Sequence, residues 1–367
     1  MKTVYIGAER CEEWDALVAK ESYISLFQSW AWGEFKGRMG WKAFRVGIER
    51  DGRIVAGAQM LIKSIAFGQV SVAYVPGGPV GNWLEKEIAP KLFSELHHMA
   101  TSHKAIFLKV EPLLPKSPSI EDVLRQHQFR TSTYTNQAAA TIVVDITPNL
   151  DDILARMHQK TRYNIRYARR KGVVVREGNR EDLIALSHLL RNLGRREGFA
   201  PRNLEYLQAE WDTLHPAGLL KLFVATYQEK ILSIHMSALF GENAIYLHGA
   251  SSGAHKNLMP NYLIMWEAIK WAKLWGCKTF DLWGIPEKVG VAAYLGDRLP
   301  EPNSTKGLWG VFRFKKGFSS NIVLYMKAFD YVYNTFLYTL ISNKLFNANT
   351  LEHIAVFMDS LRNRSDT

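Results

Sequence analysis

The sequence predicts a mixed α/β protein built from two similar lobes in tandem. Three observations point that way. One supersecondary pattern occurs twice at a nearly constant offset. The composition is that of an ordinary globular chain, 367 residues with 47% apolar and 22% charged, long enough for two cores. A strongly basic segment separates the two copies.

The first copy opens with "FRVGIERDGRIVAGAQMLIKS" (44–64), two alternating apolar runs joined at Asp51-Gly52, a pair favoured in tight hairpin turns. "SVAYVPGGPV" (71–80) then predicts a strand ending in glycines. An amphipathic helix over about 85–102 and a buried strand "AIFLKVEP" (105–112) complete the unit. The second copy has the same order: a hairpin in "LFVATYQEKILSIHMSALF" (222–240), a strand in "AIYLHGASS" (244–252), a helix over about 260–276 and a strand in "KTFDLWGIP" (278–286). Tyr74 and Tyr246 are 172 residues apart, and Pro112 and Pro286 are 174 apart. Hairpin, strand, helix, strand is the order found in the central part of a GNAT-type acyltransferase lobe, so each copy is expected to be one such lobe.

Between the copies lies "NLDDILARMHQKTRYNIRYARRKGV". Asn149 as cap, aspartates in the first turn, bases in the last and Gly172 at the end predict one continuous helix. From Arg156 to Arg202 there are thirteen Lys/Arg against four Asp/Glu, a net of +9 out of +11 for the whole chain. Arg162, Arg166, Arg169 and Arg170 share one face, with Tyr163 and Tyr167 beside them. The local basicity points to a polyanion, whether nucleic acid, nucleotide phosphates or an anionic membrane surface. A solvated face normally mixes both signs at i,i+4 spacing and this one does not, which favours a phosphate-backbone contact.

Other classes are disfavoured. Cys11 and Cys277 are the only cysteines; they are read as free thiols in a reducing compartment. The charged N-terminus lacks the apolar core of a signal peptide, and no run reaches the length of a membrane span. "FDYVYNTFLYTLI" (329–341) predicts a helix packed on the body, with lying on a bilayer surface as the alternative. The eleven histidines show no triad or metal spacing, so no metal is expected.

Five segments together resemble the FemABX family of peptidoglycan aminoacyltransferases: "FQSWAWGEFKGRMGW" (27–41), "YVPGGPV" (74–80), "KTRYNIRYARRKGV" (160–173), "YLHGASS" through "FDLWGIP" (246–286), and "GLWGVFRFKKGF" (307–318). The resemblance spans about residues 20–330. It implies two GNAT-like lobes and transfer of an amino acid from aminoacyl-tRNA to the stem peptide of a nucleotide- or lipid-linked cell-wall precursor. No cofactor is implied beyond aminoacyl-tRNA as co-substrate. Lys36 matches the lysine that contacts the acceptor diphosphate. Arg202 and Tyr206 match a pair that holds the acceptor, and Tyr246 matches an aromatic beside them. Lys315, preceded by Phe314, matches the lysine acting on the acyl donor. Lys160, Arg162, Arg166, Arg169 and Arg170 become the expected tRNA contacts. Two features depart from the family pattern: Gly77 replaces the basic residue of its Tyr-x-Pro-basic-Gly-Pro motif, and no heptad run could build the coiled-coil arm of longer members.

The expected organisation is a first lobe at 1–148, a basic inter-lobe helix at 149–173, a second lobe at 174–330 and a helical tail at 331–367. The expected protein is a cytoplasmic monomer with peripheral contact to the inner membrane face. Aminolysis needs an oriented ester carbonyl and a donor for the tetrahedral oxyanion, a role open to Lys315. "RFKKGF" is read as strand-like, which would turn Lys316 to the opposite face. Glu111 and Asp281 are the carboxylates nearest strand ends, but an unperturbed carboxylate is a poor base for an ammonium group. An acyl-CoA-dependent N-acyltransferase is the rival within the fold. Against it, "GGPVGNW" and "GASSGAHKNLMPN" each contain a proline and lack the usual pyrophosphate-loop spacing. A non-catalytic RNA-binding module is the third reading.

Overall fold

The structure is a computed structural model describing residues 1–65, 68–301, 304 and 307–348. The chain divides into two units, one formed by Met1–Ala138 with the chain from Tyr325 onward, the other by Ala139–Leu324.

The first unit contains β1 (Lys2–Tyr5), α1 (Cys11–Val18), α2 (Trp30–Arg38), β2 (Lys42–Arg50), β3 (Arg53–Ile65), β4 (Val70–Pro76), β5 (Val80–Gly81), α3 (Ala89–Ser102), β6 (Ala105–Glu111), α4 (Pro118–Gln126) and β7 (Arg130–Thr131). The β2–β3 hairpin turns where expected, with Asp51 and Gly52 both at positive φ (52° and 77°), the backbone of a turn whose twist suits antiparallel strands. Helix α3 buries Leu92, Phe93, Leu96, Met99 and Ala100, the i,i+3/i+4 stripe that seats it on the sheet. Gln28 ties two of the sequence motifs together: its side-chain amide donates to the carbonyls of Gln59 (3.1 Å) and Pro76 (2.7 Å). A Cβ on Gly78 would sit 2.6 Å from that amide, so glycine is required there.

The second unit contains β8 (Ala140–Asp145), α5 (Leu150–Arg156), α6 (Gln159–Arg170), β9 (Val174–Glu177), α7 (Asp182–Glu197), α8 (Leu204–Leu214), β10 (Leu220–Tyr227), β11 (Lys230–Phe240), β12 (Asn243–Ser251), α9 (Pro260–Leu274), β13 (Thr279–Asp281), α10 (Glu287–Leu295), α11 (Gly307–Lys315) and β14 (Ile322–Leu324). Its sheet runs β14-β8-β13-β12-β11-β10-β9. The β10–β11 hairpin turns at Gln228 and Glu229, again both at positive φ. From Tyr325 the chain rejoins the first unit as β15 (Phe329–Val332) and α12 (Thr335–Ala348), giving the sheet order β1-β2-β3-β4-β6-β15-β7 with β5 on β3.

The duplication is visible in strand pairing. In the first unit an antiparallel β2-β3-β4 meander meets β6 in parallel. In the second, β10-β11-β12 meets β13 in parallel. The parallel step follows from the intervening helices α3 and α9, which return the chain to the same end of the sheet. The fold is mixed α/β with two tandem GNAT-like lobes. Among the described residues the longest helix is α7 with 16 residues, too short for a coiled-coil arm.

Four expectations need correction. The first lobe does not extend to 148: β8 pairs with β13 and β14 and belongs to the second sheet. The second does not extend to 330, because β15 pairs with β6 and β7; the chain crosses back, which a linear division misses. Residues 329–332 are therefore strand, with helix only from Thr335; of the expected tail, 349–367 lie outside the described residues. The basic helix is two helices inside the second unit, broken where Met157 (ψ 155°) and His158 (ψ 139°) are extended. Asn149 caps α5 as expected, accepting from the Asp152 N–H at 2.9 Å, while His158 caps α6. Among the described residues no helix is long and apolar enough to cross a membrane.

Candidate active site

Lys315 is the last residue of α11, so "RFKKGF" is a helix end followed by a turn where a strand was expected. The contrast with its neighbour survives: Lys315 is buried at 3% exposure, while Lys316 is exposed. Aromatic packing fixes this segment. Phe312 and Phe318 are buried, and Phe314 lies edge-on to Tyr262 of α9 at 5.0 Å and to Phe318 at 5.1 Å. Phe314 thus serves as a packing residue that holds its neighbour in place.

The Lys315 ammonium donates to two successive backbone carbonyls, Trp283 at 2.9 Å and Gly284 at 2.8 Å. Asp281, at the end of β13, shapes that cradle. Its Oδ1 accepts from the Trp283 N–H and from the Thr141 hydroxyl, both at 2.5 Å. The bond to Trp283 holds that residue at φ +62°, a conformation costly for a bulky side chain without such support. Burial pulls the Lys315 pKa down to about 7, opposed by the Asp281 charge. At neutral pH this amine can therefore hold or release a proton. In its neutral form two N–H bonds satisfy the two carbonyls, leaving a lone pair in the remaining direction.

Strand β12 supplies the other wall. Tyr246 places its ring 5.6 Å from Lys315 Nζ and 4.3 Å from the ring of His235 on β11; burial raises its phenol to about 12. The pairing shifts between Met236 and Ser237, leaving Leu247 as the extra residue of a bulge, a feature that re-aims side chains at functional sites. A Cβ on Gly249 would come 2.0 Å from the Tyr246 hydroxyl, so only glycine admits that phenol. His235 is bonded to the Ser237 hydroxyl at 2.6 Å. Burial, then the Lys315 charge, push its pKa down to about 3, so it is neutral at physiological pH.

A second cluster lies on α8 of the same unit. Asn203 caps that helix by accepting from the Tyr206 N–H at 2.9 Å, and the Arg202 guanidinium stacks 4.6 Å from the Tyr206 ring centroid. Tyr206 meets His248 of β12 edge-on at 6.3 Å, and His248 Nε2 is 2.8 Å from a carboxylate oxygen of buried Glu210. Strand β12 thus carries Tyr246 to Lys315 and His248 to the Arg202–Tyr206 pair.

In the first unit, Lys36 sits on α2, capped by Ser29 accepting from Trp32 N–H at 3.1 Å. Its side chain is 6% exposed, and its ammonium lies 5.4 Å from the Phe35 ring, 5.8 Å from Trp41 and 5.9 Å from Trp32. Glu111 is buried and accepts from the Tyr74 hydroxyl (2.7 Å) and the N–H groups of Asn136 (2.8 Å) and Gln137 (2.9 Å). Glu111 and Asp281 are both latches between strands and loops, committed to internal donors.

The basic segment divides by partner. Arg162 donates to the carbonyls of Ala155 (2.8 Å) and Met157 (2.7 Å), closing the end of α5. Arg169 pairs with Glu267 of α9 at 3.0 Å. Among the described residues no carboxylate pairs with Lys160, Arg166 or Arg170, all exposed. The four-arginine face is therefore split, with two of its members holding the fold.

His235 and its neighbour Ser237 were missed in the sequence. The signal was there, in a polar phase Ser233, His235, Ser237 alternating with apolar residues in a strand buried on both faces. No cluster of potential metal ligands occurs among the described residues.

Architecture and site together define a protein of the tandem GNAT-like acyltransferase class. Residues 156–294 match a GNAT acetyltransferase domain and residues 10–119 match the FemAB family. The chain is 24% identical to the lipid II:glycine glycyltransferase of Staphylococcus haemolyticus, over 90% of this chain and 93% of the relative. Its fold matches the crystal structure of FemX with a TM-score of 0.80 at 24% identity, covering 93% of this chain and all of the other. It also matches a tandem GNAT protein from the clavulanic acid biosynthesis pathway, with a TM-score of 0.54 at 9% identity, over 90% and 98% of the two chains. The likeness to the FemABX family first seen in five motifs thus holds in family model, relatives and fold.

Proposed function

We propose that this protein is an aminoacyltransferase that moves an amino acid from aminoacyl-tRNA onto the stem peptide of a peptidoglycan precursor. The observation that carries the reading is Lys315, buried between two carbonyls with its pKa drawn to about 7. The relatives named as lipid II:glycine glycyltransferases, aligned over nine-tenths of the chain, support the substrate class.

In this reading the neutral acceptor amine attacks the ester carbonyl of the aminoacyl end. The C–N bond forms, the C–O bond to the ribose breaks, and the ribose oxygen takes the proton that the amine loses. In its protonated form Lys315 has a third N–H beyond those held by Trp283 and Gly284, and directs it to the tetrahedral oxyanion, an interaction stronger in the transition state than in the ground state. Tyr246 covers one side of the ammonium and His235, kept neutral, avoids adding a competing charge. Arg202 and Tyr206 hold the acceptor, and Lys36 contacts its phosphates. With Glu111 and Asp281 committed internally, the proton passes within the bound substrates, and much of the rate enhancement comes from holding them together. The protein works in the cytoplasm as a monomer, meeting the inner membrane face when its acceptor is lipid-linked.

Mass spectrometry of a purified precursor incubated with the protein and charged tRNA tests this. A mass increase of one aminoacyl residue, lost when the tRNA is first digested with ribonuclease, is the expected result. Transfer that survives digestion would refute the tRNA-dependent reading. The GNAT domain match favours a second reading, an acyl-CoA-dependent N-acyltransferase. Pro260 at the start of α9 counts against it, since it removes a backbone donor from the helix end that would meet the pyrophosphate. Protection by acetyl-CoA against thermal unfolding would favour that rival, and RNA binding without turnover would favour a binding module.

A further inference from the structure

The solvent face of α6 carries more than charge. At about 100° per residue, Arg166, Arg170, Tyr163, Tyr167 and Lys160 fall within an arc of about 120°. Thr161, Asn164, Ile165 and Ala168 are buried on the opposite side. Tyr163 is 55% exposed, and its ring stacks on that of Tyr167 with centroids 5.7 Å apart and planes 25° from parallel. The Arg170 guanidinium lies 5.9 Å from the Tyr167 ring and the Lys171 ammonium 5.6 Å from it. Two stacked rings, one of them (Tyr167) edged by two cations, on a helix fixed by the internal bonds of Arg162 and Arg169, make a surface suited to splayed bases.

The position of α6 matters as much as its surface. The His158 N–H at its start donates to the Gly317 carbonyl at 2.9 Å, two residues beyond Lys315. The helix therefore begins against the segment that carries the buried lysine.

We propose that α6 is a track for single-stranded RNA, on which unpaired nucleotides at the acceptor end of charged tRNA stack against Tyr163 and Tyr167 and run towards Lys315. Arg166 and Arg170 neutralise the phosphates of that strand. This rests on the tRNA-dependent reading and adds a mode of binding to it. A duplex offers α6 only its backbone, since paired bases are stacked within the helix, whereas an unpaired strand offers both phosphates and base faces.

Fluorescence anisotropy with a short labelled single-stranded oligoribonucleotide, and with a blunt RNA duplex of the same sequence, is the test, alongside KM for charged tRNA in the transfer assay. The single strand should bind about tenfold or more tightly than the duplex. Replacing both tyrosines (Tyr163→Leu, Tyr167→Leu) should weaken it by about tenfold or more and raise the KM for charged tRNA. Tyr163→Phe with Tyr167→Phe should restore both values, because the ring face remains. Arg166→Gln with Arg170→Gln should instead flatten the salt dependence, by about 0.7 per lost phosphate contact. Equal affinity for duplex and single strand, or Leu variants that bind and turn over like the wild type, would overturn the track and leave tRNA-dependent transfer standing. Transfer that survives ribonuclease would overturn both.

Discussion

Replacing Lys315 by Met removes a titrating ammonium while keeping a side chain of similar length. Burial displaces the folded-state pKa from 10.5 to about 7, and each pH unit of displacement is worth about 1.4 kcal/mol. The charged form is therefore disfavoured in the folded protein by roughly 5 kcal/mol. The unfolded lysine keeps its proton up to about pH 10.5, whereas the folded one loses it above about pH 7. Between those limits the unfolded chain binds more protons, so stability rises with pH. Below about pH 6 both states are protonated and this group contributes no slope. From pH 6 to pH 9 the wild type should thus gain about 3 kcal/mol relative to Lys315→Met. The carbonyl bonds and packing lost in the variant do not depend on pH and cancel in that comparison. Urea unfolding of both proteins at pH 6, 7, 8 and 9 measures the effect. A wild-type minus variant difference that stays constant within about 1 kcal/mol across this range would show that Lys315 titrates as an ordinary lysine. The tuning by burial would then be refuted, although a permanently charged Lys315 could still donate to the oxyanion.

Further expectations concern the neighbouring residues. Lys315→Ala should lower turnover about a hundredfold or more, the usual cost of one oxyanion donor, while exposed Lys316→Ala should change it little; equal small effects would make the segment purely structural. Arg162→Ala should destabilise the second unit by about 1–3 kcal/mol, by leaving the end of α5 uncapped. It should leave the salt slope of RNA binding unchanged, and a slope reduced by about one phosphate contact would return Arg162 to the RNA face. Lys36→Ala should raise the KM for the acceptor without altering charged-tRNA binding; a raised KM for the donor instead would mean the two substrate sites are exchanged. Glu111→Gln keeps an oxygen for the backbone N–H groups of Asn136 and Gln137 but puts an amide donor where the Tyr74 hydroxyl now donates. It should cost about 1–3 kcal/mol in urea unfolding, and an unchanged midpoint would remove the latch role.

The sequence alone determined the two lobes, both hairpins and the placement of the basic segment before the second copy. These are local properties: Asp51-Gly52 selects its turn from its own backbone preferences, and the stripe on α3 is set by helical period. It also carried Lys315, as a motif, and the contrast with Lys316. Tertiary structure decided the rest. Residues 329–332 are a strand because β6 and β7 lie on either side to pair with them, a partnership between segments about 200 residues apart. Helix propensity could not anticipate that Met157 and His158 break the basic helix, or that Arg162 turns back to cap the piece before the break. The lowered pKa of Lys315 comes from burial, and the neutrality of His235 from burial and then the Lys315 charge, which are properties of packing. Likewise, which arginines face solvent on α6 depended on whether Ala155, Met157 and Glu267 stood within reach. Charge is written along the chain, but its availability to a partner is settled only when the neighbours that could neutralise it take their places.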